Sequence, residues 1–118
     1  MLTVAYGCQP VPAVDSASVF DKIGFDLGEL DENGLYGPTD GKRSLDYEFC
    51  IPQGNAYAQE VLVIDPSVNF FPQSQGRIGC TEQQTLAIGN THQPNAQLIL
   101  MELANLDYID RIQRVDWE

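Results

Sequence analysis

The chain has 118 residues, 43% hydrophobic and 19% charged, which suits one folded domain with a modest core and excludes two independent domains or a largely disordered chain. Six basic against 17 acidic residues leave a net charge of −11, and such a surface repels phosphate backbones and anionic membranes, so nucleic-acid partners are set aside. The longest aliphatic runs, 61–64 and 98–101, are too short to cross a bilayer, so no transmembrane segment is expected.

Residues 1–18 read as an extended arm or the remnant of an export signal, and 19–118 as a single α+β domain. The opening is uncharged and apolar and ends in a small residue before Cys8, as the end of a signal peptide does before a lipid-modified cysteine. It lacks the basic n-region and the long apolar stretch of a complete signal; a sequence beginning inside a longer precursor would account for both. The alternative is a short first strand over residues 2–6, with Cys8 an ordinary small apolar residue. Residues 9–19, rich in Pro, Val, Ala and Ser, have no period and predict little regular structure.

From 19 to 46 acids alternate with Gly, Asn and Pro. Asp31-Glu32-Asn33-Gly34 and Thr39-Asp40-Gly41 are turn sequences, so this acidic extension is expected as a loose hairpin with strands near 19–27 and 35–36. Leu45, Tyr47, Phe49 and Ile51 then alternate with Asp46, Glu48 and Cys50, the pattern of a strand buried on one face and wet on the other. Pro52 and Gly54 end it. A helix capped by Asn55 follows and must stop by Asp65, because Pro66 disfavours helical geometry in the residue before it.

Residues 68–71 predict a second strand closed by Pro72. Residues 73–79 are a polar loop containing Arg77, and a third strand covers 83–89 with Leu86 and Ile88 on one face. A helix begins at Asn95 with Leu98, Ile99, Met101, Leu103 and Leu106 as its core stripe and a stop near 105–107. For 108–117 a final strand with a bulge is preferred over continued helix. From about residue 45 the order is strand, helix, strand, strand, helix, strand, the βαββαβ of a ferredoxin-like split βαβ sandwich; the name denotes topology, with no iron implied.

The three cysteines, Cys8, Cys50 and Cys80, permit one bridge and leave one thiol. None lies in a Cys-x-x-Cys motif, so zinc is not expected. In the split βαβ topology the end of the first strand meets the start of the third, which makes Cys50 and Cys80 neighbours. A bridge there closes a thirty-residue span and contributes about 3 kcal/mol by chain entropy. It is the preferred reading, with two buried free thiols as the alternative; a bridge favours an extracytoplasmic location and free thiols a cytoplasmic one.

The residues that could carry chemistry are few. His92 follows the third strand, where Asn90 or Thr91 could orient it and Asp46 or Glu48 could serve as its acidic partner for acid-base work. The competing reading makes Asn90 and Thr91 a turn or cap network with His92 exposed, and Asp46 and Glu48 two solvated acids on one strand face. A thiol nucleophile is incompatible with the bridge, and no Gly-x-Ser-x-Gly elbow, phosphate loop or dinucleotide fingerprint occurs. No cofactor is implied. Asp26, Glu29, Asp31 and Glu32 are oxygen donors of the kind calcium takes, but their spacing is not that of an EF-hand loop and no metal is assigned.

Three stretches, residues 45–52, 76–80 and 88–94, with the segments Leu45-Asp46-Tyr47-Glu48-Phe49-Cys50-Ile51-Pro52, Gly76-Arg77-Ile78-Gly79-Cys80 and Ile88-Gly89-Asn90-Thr91-His92-Gln93-Pro94, resemble small exported proteins of photosynthetic bacteria with no assigned activity. The resemblance spans about residues 26–118 and implies a periplasmic, luminal or surface location; it brings no reaction and no catalytic residues. The expectation is a noncatalytic exported acidic domain that binds a protein partner or small ligand. Its candidate binding residues are Asp26, Glu29, Asp31, Glu32, Arg77, Asn90, Thr91 and His92, and a lipid anchor at Cys8 is a further expectation. The alternatives are a small hydrolase using His92 with Glu48 or Asp46, and a structural homodimer formed through a sheet edge or Phe70, Phe71 and Trp117.

Overall fold

The computed structural model describes residues 16–115, with side chains from Val19 onward. Cys8, Trp117 and most of the expected arm therefore lie outside the described residues. Along the chain come α1 (Ser16–Lys22), a 3-10 turn (Leu27–Glu29), β1 (Asp46–Pro52), α2 (Asn55–Ile64), β2 (Asn69–Phe71), β3 (Gln84–Asn90), α3 (Ala96–Ala104) and β4 (Ile112–Arg114). The fold is α+β. One four-stranded sheet has the spatial order β2-β3-β1-β4, which is not the order along the chain, and all its pairs are antiparallel. The sheet tapers: its central strands have seven residues each and its outer strands three.

The β1–β3 register places Tyr47 opposite Gly89, Phe49 opposite Ala87 and Cys50 opposite Leu86. Because side chains alternate along a strand, Tyr47, Phe49 and Ile51 share one face. They are buried with Val61 of α2 and Ala96, Leu100, Leu103 and Ala104 of α3 in a single apolar cluster, each large side chain contributing roughly 1.5–3 kcal/mol by leaving water. Glu48 and Cys50 share the opposite face with Leu86 and Ile88, where a second, separate cluster forms with Ile78 and Cys80.

That second cluster corrects the expected wet face of β1. Residues 72–83 fold back over it as a strap, and Glu48, read as a solvated acid, is 1% exposed. Cys50 and Cys80 are joined in a disulfide, with Cα atoms 5.6 Å apart. Strand parity alone left that pairing open. The strap resolves it by carrying Cys80 onto the face to which Cys50 points.

Two further expectations change. Residues 16–22 are helix, where an extended arm and the start of a hairpin strand were expected; Val19 of this helix is buried in the core, and Ile23 just beyond its end is buried too and bridges Ile112 of β4. The hairpin of 19–27 with 35–36 does not form: residues up to Lys22 are helical, Leu27–Glu29 make a 3-10 turn, and Tyr36 pairs instead with Arg43 in an isolated antiparallel bridge. In α3 the buried stripe is Ala96, Leu100, Leu103 and Ala104, and Leu98 is 54% exposed. Two of the four in the stripe are alanines, which a search for large apolar residues passes over. The final segment resolves as a strand, β4.

Candidate functional site

The densest polar cluster lies where β1, the end of α2 and the end of β3 meet. Pro66 stops α2 and leaves Asp65 as its C-cap in an extended conformation, turning the carboxylate inward, where it is fully buried. Its Oδ2 accepts a hydrogen bond from the Tyr47 hydroxyl. Its Oδ1 accepts from the Ser67 amide at 3.0 Å, the Ser67 hydroxyl at 2.7 Å and Gln93 Nε2 at 3.0 Å. Burial, and then the adjacent Asp65 charge, push the Tyr47 hydroxyl well above the usual tyrosine range, so it stays protonated and donates.

The network continues through β3. The Asn90 amide donates to Ser67 Oγ at 3.0 Å, and Asn90 Nδ2 donates to Asp46 Oδ1 at 2.7 Å and Ser44 Oγ at 3.2 Å. The His92 amide donates to Asn90 Oδ1 at 2.7 Å. Thr91 is fully buried, its Oγ1 accepting from the Leu45 amide at 3.0 Å and its own amide donating to Leu45 O at 3.0 Å. Among the described residues no buried side-chain nitrogen or oxygen lacks a partner. This cluster is closed, and it ties three elements together instead of presenting a reactive group.

The residues considered for acid-base work are not brought together. The link between His92 and Asp46 runs through the His92 backbone amide and the Asn90 side chain, and His92 itself is exposed. Glu48 is buried beneath the strap and accepts from Gln113 Nε2 at 3.2 Å. Asn90 and Thr91 thus orient the backbone of the loop, as a turn network does, and not the imidazole ring. Arg77 is exposed on the strap, between Gly76, which lies over Glu48 and Leu86, and Ile78.

The acids of the N-terminal stretch have separate tasks. Asp26 Oδ1 caps the 3-10 turn by accepting from the Gly28 amide at 2.8 Å. Asp31 Oδ1 accepts from the Asn33 and Leu35 amides, and its Oδ2 from Lys42 Nζ at 2.6 Å. The Lys42 ammonium, then these two amides, hold the Asp31 carboxyl down at about 2. Glu29 and Glu32 are exposed. Among the described residues no three histidine, cysteine or acidic side chains are grouped to hold a metal ion.

Asp31 and Glu32 do share a concavity. A groove of about 390 Å³ runs between residues 30–32 and the first turns of α3, lined by Asp31 and Glu32 on one wall, Gln97 and Leu98 on the other, and apolar Leu30 and Met101. Gln97 Nε2 donates to Leu30 O at 2.7 Å and pins the two walls together. Asn95, which precedes α3 in a left-handed conformation with φ 62°, also borders the groove and makes no side-chain cap.

Tyr47, Asp65, Ser67 and Gln93 were not anticipated as a cluster. Tyr47 reads as core by alternation and Asp65 as a helix stop. The usable signal is an acid directly before Pro66, at the end of the apolar run 61–64. No family model, curated protein or solved structure matches this chain.

Proposed function

We propose that this protein is a noncatalytic, extracytoplasmic binding domain that takes a positively charged segment of a protein partner in the groove between residues 30–32 and α3. The carrying observation is the lining of that groove, the exposed Glu32 carboxylate beside the Lys42-paired Asp31 over an apolar floor, with Leu98 half-exposed at its edge. It suits a cationic side chain with an apolar neighbour, and the net charge of −11 would draw such a partner in over longer range. The disulfide and the resemblance to exported proteins support placing the domain outside the cytoplasm, and that placement is what makes a lipid anchor at Cys8 worth testing. The β1-α2-β2-β3-α3-β4 succession with spatial order β2-β3-β1-β4 supports reading the domain as a ferredoxin-like sandwich extended by the acidic segment.

The test is fluorescence anisotropy with a labelled peptide of alternating lysine and leucine. Glu32 is the clean probe, because Asp31 also holds its own turn together. E32K and L98D are each expected to weaken binding by roughly three- to tenfold, with the wild-type affinity falling as salt rises. Equal affinity in wild type and both variants overturns the reading. Intact mass of the protein from its source, before and after reduction and alkylation, tests export and lipidation.

A further inference from the structure

The strap over the outer face is a separable layer. Its apolar residues, Ile78 and Cys80, belong with Leu86, Cys50 and Ile88 to a cluster distinct from the helix-side core. The backbone hydrogen bonds at its centre close on the strap itself, Gly79 and Cys80 both donating to Gln75 O, while Ser74 ties its start to β2 by donating to Phe71 O. Its far end is tied to the body by Gln53, whose amide donates to Gln83 O and whose Nε2 donates to Glu82 O; residues 72–80 are attached by the disulfide, by Arg111 Nη2 donating to Ile78 O at 2.9 Å, and by the burial of Ile78, with Arg77 engaged as well. Within the strap Gly76 lies so close to Glu48 and Leu86 that a methyl group there would fall 2.5 Å from Glu48 Oε1 and 2.7 Å from Leu86 Cδ1. Leu86 is 3% exposed and Glu48 1%, so the strap is what keeps both from water.

The bridge is also approachable. A cavity of about 270 Å³ opens beside it, lined by Cys50, Ile78, Gly79, Thr81, Gln84, Asp110 and Arg111. Cys80 is 2% exposed, whereas Cys50 is half-buried and faces this cavity. Arg111 and Asp110 put one charge of each sign in the wall.

We infer that the Cys50–Cys80 disulfide is a redox latch, whose reduction by a dithiol releases residues 72–80 and uncovers the outer face of the sheet at Glu48, Leu86 and Ile88. The thiolate of the dithiol attacks Cys50 Sγ, the Sγ–Sγ bond breaks, and Cys80 leaves as thiolate and takes a proton. The second thiol of the reductant then attacks the mixed disulfide, so that two electrons pass to the protein, Cys50 is released as a thiol and the reductant departs as its disulfide. Covalent closure of the thirty-residue loop is lost, while the helix-side core, which shares none of these residues, remains.

The experiment is hydrogen exchange by mass spectrometry on the full chain, oxidised and after dithiothreitol, with alkylation mapped to Cys50 and Cys80 by peptide. Exchange over residues 72–80 is expected to accelerate by more than about tenfold while β1, β3 and α3 keep their protection, and binding of an apolar fluorescent dye is expected to rise. Four results overturn the inference: a bridge that resists excess dithiothreitol in the native protein, a strap that stays protected after verified reduction, a strap released without added dye binding, or loss of protection throughout the domain, which would make the bridge a general staple. C50S, measured in the same way, must reproduce the released strap without reductant; a C50S strap as protected as the oxidised one also overturns it.

Discussion

Gly89 stands opposite Tyr47 across the β1–β3 ladder, and the phenol ring lies over it so closely that a methyl group there would fall 2.7 Å from the ring and its hydroxyl oxygen. The glycine makes room for the ring, and the ring needs that room because its hydroxyl is anchored to buried Asp65. G89A is therefore expected to cost about 1–3 kcal/mol by overpacking. Thermal unfolding of the variant checks it, and an unchanged Tm would mean that the ring can move aside.

The Tyr47 hydroxyl carries a second prediction. Y47F removes one donor from a buried carboxylate and is expected to destabilise by about 1–3 kcal/mol. Burial and Asp65 raise the folded-state pKa of Tyr47 above its ordinary 10.0. The unfolded chain then releases the phenolic proton first, so this contribution is complete below pH 10 and declines as the pH rises above it. Urea titrations from pH 8 to 11 should show wild-type stability falling more steeply above pH 10 than that of Y47F. Parallel curves would remove Tyr47 as the source.

Thr91 offers a test that separates shape from hydrogen bonding. T91V keeps the volume but strips the Leu45 amide of its acceptor in a fully buried site, with an expected loss of about 1–3 kcal/mol. T91S restores the oxygen and should recover more than half of that loss. If the valine and serine variants are equally stable, the hydroxyl is not what matters at this position.

Asp31 provides the pH test at the groove. Lys42 is the first cause of its low value, so K42A should raise the Asp31 midpoint from about 2 towards the ordinary 3.8, stopping short because the Leu35 and Asn33 amides still favour the carboxylate. The carboxylate's support for the turn is present above pH 3.8 and lost as the pH falls towards 2 in wild type; in K42A it is lost over a narrower window nearer 3.8. Carboxyl chemical shifts followed by NMR report both midpoints, and identical midpoints would reassign the shift to the turn amides.

Much of the β1–β4 region was legible because its signals are local. Alternation over residues 45–51 set β1, Pro66 set the end of α2, and the third strand and final helix began within a residue or so of where their patterns put them. What escaped depends on chain segments far apart. Glu48 follows the alternation of a wet face, and only a strap from residues 72–83 makes that face dry. Val19 is β-branched and suits a strand locally, yet it meets from a helix the core that later elements build. Of the candidate site, the acids Asp31 and Glu32 could be read directly. The opposing wall from α3 could not, because it depends on the Gln97 contact with Leu30, which joins residues 67 positions apart.

The taper of the sheet bears on whether copies of this chain can add to one another. A sheet edge invites pairing in proportion to the run of unpaired amides and carbonyls it offers. Here the long strands are interior. On one side Ile112 of β4 is already bridged by Ile23 and accepts from the Gly24 amide at 2.8 Å. On the other, β2 is a three-residue ladder followed by Pro72, which has no amide proton to give. Among the described residues an incoming strand would find on this edge a template of three residues, which disfavours pairing there.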